Sequence, residues 1–236
     1  MTRRRWIADE FSADRACLTG AHAAHLARTL RARVGQEFDV ACGEQVRRAT
    51  ILSVADDKVE FALGEAVSAP ESIPVTLLLA VFKFDRMEWA IEKCTELNVT
   101  AIVPVIARRT EKHLALAAEK RVERWRRIAR EASEQSRRIT PPTIAEPRKL
   151  RDALTGIEAG RRIVLAESER AAMLRDVLRA PDLASLALAI GPEGGWTDDE
   201  LKLFVDANWI AASLGETILR AETAAIAALA VSRAEL

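Results

Sequence analysis

The chain has 236 residues, 49% of them hydrophobic, and its 35 Lys and Arg are balanced by 35 Asp and Glu. That length and apolar content suffice for one large domain or two modest ones, while no apolar run reaches membrane-spanning length. Met1-Thr2-Arg3-Arg4-Arg5-Trp6 lacks the apolar stretch of a secretory signal, and Cys17, Cys42 and Cys94 are odd in number with no C-x-x-C pair, so a reducing cytoplasm is expected and structural zinc is not.

Residues 21–33 read as a short helix in which Ala24, Leu26 and Leu30 are apolar. After Gly35 the pattern turns to strands at Phe38–Val40, Ala49–Val54 and Val59–Leu63, with turn residues at 42–44 and 56–58, which predicts a small antiparallel sheet or barrel. Ala69-Pro70-Glu71-Ser72 reads as a linker, giving two domains at 1–69 and 70–236. From Val75 strands and helices alternate. Strands are predicted at 75–81, 101–106, 163–166, 186–190 and 210–214, and helices near 86–97, 118–137, 170–179, 198–206 and 221–234. The fold class is therefore α/β, a mostly parallel sheet covered on both faces behind a small β domain.

Charge is balanced overall but not locally. Residues 108–138 hold eleven Lys and Arg against five Glu, and Arg3, Arg4 and Arg5 form a second basic cluster. Such excess suits a polyanion, because neutralised phosphates release counterions. The bland alternative is a solvated helix laced with pairs such as Glu123 and Arg127. His22, His25 and His113 form no convincing ligand set, so no metal is expected.

The densest signal follows the apolar run Leu186–Ile190. Gly191-Pro192-Glu193-Gly194-Gly195-Trp196 ends that strand, and Thr197 with Glu200 has the spacing of a capping box that opens the next helix. Strand, glycine loop and helix start in this order present backbone amides at a strand's carboxyl end. Neither G-x-x-x-x-G-K-[ST] nor G-x-G-x-x-G is present. Glu193, Asp198, Asp199 and Glu200 would repel a polyphosphate, so a ligand with a positive centre is favoured over ATP or NAD. The competing reading is a tight turn whose acids complement a helix dipole.

Several segments together resemble one family. Lys83-Phe84-Asp85-Arg86-Met87-Glu88-Trp89, Ala132-Ser133-Glu134-Gln135-Ser136-Arg137-Arg138, Leu165-Ala166-Glu167, Ile190-Gly191-Pro192-Glu193-Gly194-Gly195 and Ile218-Leu219-Arg220-Ala221-Glu222-Thr223 occur in the order found in the RsmE family. These are methyltransferases of the SPOUT superfamily that act on N3 of a uridine in 16S ribosomal RNA. Where many members have Gly this chain has Phe84 and Asn98, and where many have a basic residue it has Thr217.

The resemblance implies a PUA-like RNA-binding β domain over 1–69 and a trefoil-knotted methyltransferase domain over 70–236, paired as a homodimer. It implies S-adenosylmethionine as cofactor, held by Leu165, Ala166, Ile190, Gly191, Glu193, Gly194, Gly195, Ser213, Leu214, Gly215, Ile218 and Leu219. A uracil ring nitrogen is a weak nucleophile while protonated, so the site must take its proton and stabilise charge on the ring oxygens. Arg220 is the candidate for the charge, and Glu167 and Glu222 are both candidate bases. Arg3, Arg4, Arg5, Lys83, Arg86, Arg137 and Arg138 are candidate contacts to 16S rRNA or the small ribosomal subunit, with Trp6 either stacking on a base or packing. The alternative from another class is a nonenzymatic RNA-binding or assembly protein with the same fold.

Overall fold

The computed structural model describes residues 5–67, 72–179 and 183–236. Arg3, Arg4 and the 69–71 part of the expected linker lie outside the described residues. Contacts divide the chain into two compact units, Met1–Glu71 with Ser133–Pro141, and Ser72–Ala132 with Pro142–Leu236.

In the first unit the strands are β1 (Arg5–Ile7), β2 (Glu10–Phe11), β3 (Arg15–Thr19), β4 (Glu37–Cys42), β5 (Gln45–Val54) and β6 (Lys58–Val67). They form a sheet in the order β1-β4-β5-β6-β3-β2, antiparallel except where β1 joins β4. Register shifts between Arg47 and Ala49 and between Ile51 and Ser53 mark bulges in β5, which bend a strand and tighten its twist, and the sheet is a curled half-barrel. The predicted helix is split into α1 (Gly20–Ala24) and one π turn, His25–Thr29. Trp6, Leu18, Leu26, Ile51 and Phe61 fill this core. Trp6 is 4% exposed and lies against His25, so it packs and does not present a face to a base.

The second unit alternates strands and helices: β7 (Val75–Ala80), α2 (Phe84–Glu96), β8 (Ala101–Ile106), α3 (Lys112–Ala117), α4 (Val122–Gln135, whose last three residues are counted with the first unit), β9 (Thr143–Ile144), β10 (Arg148–Lys149), α5 (Leu150–Thr155), β11 (Arg161–Leu165), α6 (Leu174–Leu178), β12 (Leu186–Ile190), α7 (Asp198–Asp206), β13 (Ile210–Ala212) and α8 (Ala221–Glu235). Its sheet is parallel throughout, ordered β10-β8-β7-β12-β11-β13 with β9 beside β8. Leu77, Leu79, Leu188 and Ile190 face one apolar cluster with α2, α4, α6 and α8, while Leu78, Ala187 and Ala189 face another with α5 and α7. Burial on both faces explains why β12 is apolar at every position. Burial also pushes the Cys94 thiol of α2 up to about 12, which keeps it a neutral packing group.

Local chemistry sets the helix ends. Thr197 accepts from the Glu200 amide and Glu200 accepts from the Thr197 amide, the capping box expected at α7. Asn98 ends α2 with φ 64°, a left-handed turn that an amide side chain tolerates where glycine is usual. Phe84 opens α2 against Trp125, with the Arg121 guanidinium 4.7 Å above its ring.

Candidate active site

The insertion of β12 between β7 and β11 brings three strand ends together, at Leu165, Ile190 and Ala212. Their following loops enclose a cavity of about 280 Å³ at the carboxyl edge of the sheet. This is where open α/β sheets bind ligands.

The loops fasten to one another. The Ser213 amide donates to Ala172 O at 2.8 Å and the Leu174 amide to Ser213 O at 2.9 Å, joining the loop after β11 to the loop after β13. Glu169 accepts from the amides of Arg170, Ala171 and Ala172 at 2.9, 2.7 and 3.0 Å. Those bonds, Ala172 foremost, hold its carboxyl below the usual range. The glycine loop is closed by a Gly195 amide bond to Pro192 O, and its last residue, Trp196, stands edge-on to Phe204, which stands edge-on to Trp209. That aromatic ladder escaped the sequence reading, although Phe204 within α7 and a tryptophan on either side of that helix were a signal for it. Arg109, also unmarked beforehand as a site residue, crosses from the loop after β8 to donate to Gly194 O and, at 3.4 Å, to Trp196 O.

Of the residues expected to hold a cofactor, Leu165, Ala166, Ile190, Gly191, Gly194, Gly195, Ser213, Leu214, Gly215, Ile218 and Leu219 line the cavity. Glu193 is not in that lining. Its carboxylate accepts from the Lys83 amide at 3.4 Å, at the first turn of α2, where helix amides lack partners and a negative charge is favourable. The acids that do face the cavity are Glu167, Asp198 and Glu216, and the cations are Arg109 and Arg170.

The three candidate catalytic residues separate. Glu167 is exposed in the lining, and a Cβ at Gly195 would stand 3.9 Å from its Oε2. Arg220 is exposed at the start of α8 between two lining residues, Leu219 and Ala221. Glu222 is 4% exposed and outside the lining, with Oε1 3.7 Å from Arg86 Nε. Lys83, exposed just ahead of α2, and Arg86 adjoin Glu193 and Glu222 respectively and do not line the cavity.

In the first unit Arg5 donates to Arg137 O, Arg137 is exposed with φ 61°, and Arg138 donates to Thr140 O. His22 has Nδ1 2.7 Å from Glu134 Oε1. Along α4 the expected Glu123–Arg127 pair is replaced by Arg126 with Glu123 and Arg127 with Glu131, and Arg124 grips Glu88 through two bonds. Among the described residues no group of three or more His, Cys, Asp and Glu could hold a metal, and no helix is long and apolar enough to cross a membrane.

The RNA methyltransferase domain family matches residues 69–233 of this chain. Ribosomal RNA small subunit methyltransferase E of Synechocystis sp. is 37% identical over 219 residues, covering 90% of this chain and 71% of that protein. The chain belongs to this family. The Bacillus subtilis member is 30% identical, with 90% and 87% of the two chains covered. The crystal structure of the Neisseria gonorrhoeae member of the methyltransferase E family, bound to S-adenosyl methionine, superposes with a TM-score of 0.87 at 29% identity over 99% of this chain and 98% of that one.

Proposed function

We propose that the chain transfers a methyl group from S-adenosylmethionine to N3 of a uridine in small-subunit ribosomal RNA. The observation that carries this reading is the three-loop cavity. Its volume of about 280 Å³ is near the lower end of small-molecule sites, roughly 300–1,000 Å³. Apolar Leu165, Ile190, Leu214 and Leu219 suit an adenine ring, Asp198 and Glu216 suit the cofactor's ammonium and sulfonium, and Arg109 and Arg170 suit its carboxylate. Gly191 supports the fit, because a Cβ there would lie 3.3 Å from Trp196 Nε1, so the loop stays thin where the ligand passes.

Bound there, the cofactor supplies an electrophilic methyl carbon. Glu167 takes the N3 proton of the uracil; its support is its place in the lining, whereas the Glu222 carboxylate is buried beside Arg86. Arg220 offers a planar fork of donors to the negative charge that reaches the ring oxygens as the N3–H bond breaks. Glu222 holds Arg86 at the edge of the site, and Lys83 with Arg86 contacts RNA phosphates. An extruded base is required, because pairing hides N3.

In this reading the first unit is a PUA-like RNA-binding domain that uses Arg3, Arg4, Arg5, Arg137 and Arg138, the second is the methyltransferase domain, and the protein works in the cytoplasm as a homodimer. A trefoil knot over the second unit is supported by the tie between the loops after β11 and β13 and by the packing of α8 on α2 and α6. Nucleoside mass spectrometry of small-subunit rRNA tests the assignment. Cells lacking the gene should lose 3-methyluridine, and purified protein with S-adenosylmethionine should restore it; persistence of the mark would refute the activity. Calorimetric binding of ATP without either S-adenosylmethionine or S-adenosylhomocysteine would refute the cofactor.

A further inference from the structure

The sequence locates its greatest positive excess on and around α4, yet the structure neutralises much of it. Arg121 and Arg124 meet Glu88, Arg126 meets Glu123 and Glu146, and Arg127 meets Glu131. A paired arginine has less to offer a phosphate, because the phosphate must displace a carboxylate already in place.

A second concavity of the same unit has the opposite character. A groove of about 670 Å³ runs between the ends of β8 and β10, the start of α5 and the first turns of α7. Arg108, Lys149 and Arg151 line it, all three exposed, and none has a salt-bridge partner among the described residues. Two acids share the lining. Glu200 is 3% exposed and committed to the amides of Arg108 and Thr197 and to the Thr197 hydroxyl, so it serves as a structural floor. Asp199 is exposed and opposes one of the three cations.

The groove and the methyl-donor cavity share a wall. Asp198 and Leu201 of α7 face the cavity while Asp199, Glu200 and Leu203 face the groove, and the adjacent residues Arg109 and Arg108 divide in the same way. A strand of RNA whose target base enters the cavity therefore has a trough with three exposed cations and one exposed acid one helix wall away.

We infer that the Arg108–Lys149–Arg151 groove binds the phosphodiester backbone of the RNA beside the target nucleotide. This rests on the methyltransferase reading and adds a substrate subsite to it. Because a phosphate contact by an exposed cation acts through charge, its signature is the salt dependence of affinity, with a slope of about 0.7 per phosphate on single-stranded RNA.

The test uses the full chain, an rRNA fragment containing the methylated site, and the triple variant Arg108→Gln, Lys149→Gln, Arg151→Gln. The slope of log affinity against log salt should fall by about 2, and RNA KM should rise about tenfold or more at moderate salt. S-adenosylmethionine affinity and kcat at saturating RNA should hold. The variant Arg108→Lys, Arg151→Lys, which keeps the charges, should retain the wild-type slope. An unchanged slope in the triple variant, while the wild-type protein methylates the fragment, overturns the groove alone. A slope lost equally in the charge-keeping variant also overturns it, since charge would not be the cause. Failure of the wild-type protein to methylate overturns both the groove and the reading beneath it.

Discussion

A methyl group added to Gly191 would stand 3.3 Å from Trp196 Nε1 and 3.4 Å from the Gly195 backbone. Trp196 cannot retreat easily, because Phe204 backs it at a centroid distance of 4.9 Å. Gly191→Ala should therefore push the loop into the cavity and weaken S-adenosylmethionine binding by roughly tenfold, ~1.4 kcal/mol, within the usual range for overpacking. Calorimetric titration reads the loss directly. Unaltered affinity would mean that the loop does not contact the cofactor. The proposed proton acceptor gives a different signature. Glu167→Gln should lower kcat by about 10²–10⁴ while leaving cofactor affinity in place, and Arg220→Ala should likewise reduce turnover before binding. If Glu222→Gln instead gives the larger kcat loss in single-turnover assays, the base is the buried carboxylate. The sequence supplied both acids but could not rank them, because burial of Glu222 against Arg86 depends on α2 and α8 meeting across the fold.

Among the elements, the loop after β11 depends on one side chain. Glu169 organises three consecutive amides next to cavity residues Ser168 and Arg170. Its carboxyl is held below the ordinary value of 4.5, so its contribution to loop order is complete above that value and declines as pH falls below it toward the lowered one. Hydrogen exchange at residues 170–172 should accelerate as the protein is taken below about pH 4.5, and Glu169→Ala should show the faster exchange, with weaker cofactor binding, at neutral pH. A variant indistinguishable from wild type would show the loop to be held by Ser213 alone. Elements with local causes were legible in the sequence. The α7 capping box needs only Thr197 and Glu200, and the apolar run of β12 announces its burial. α5 was not legible, since six residues with Leu150, Ala153 and Leu154 apolar do not establish a period. The charge pattern of α4 was visible but its meaning was not, because Glu88 and Glu146 lie far from it in sequence. Glu193 was equally opaque: its residue type suggested the ligand, and its direction, toward the Lys83 amide, came from the neighbouring helix.

Within the second unit, long-range closure rests on Arg233 near the end of α8. Its guanidinium donates to Leu97 O at 3.2 Å, to Ile73 O at 2.7 Å and to Asn98 O, binding the last helix to the end of α2 and the approach to β7. Burial lowers its pKa, but three carbonyl partners keep the charged form useful as a staple. Arg233→Ala strands these acceptors and should cost about 2–4 kcal/mol, a melting temperature lower by roughly 4–12 °C. Arg233→Lys, with no planar fork, should fall between. Differential scanning calorimetry decides, and an Ala variant that melts with wild type would remove the staple from the account. The parallel sheet follows from patterns readable along the chain, whereas the grouping of Ser133–Pro141 with the first unit does not. The strand order does not, because hydropathy says that β12 is buried and is silent on which neighbours bury it.

That strand order also sets a timetable for the newborn protein. The cavity needs the ends of β11, β12 and β13 side by side, and α8 must then return to α2, residues translated long before. At about 5–20 residues per second, β7 waits on the order of ten to thirty seconds for the segment beyond Arg220 to be made. The first strands of the half-barrel can pair during that interval, whereas a methyl-donor pocket cannot exist on a partly made chain. The three-loop cavity is therefore complete only once the segment through α8 has been made.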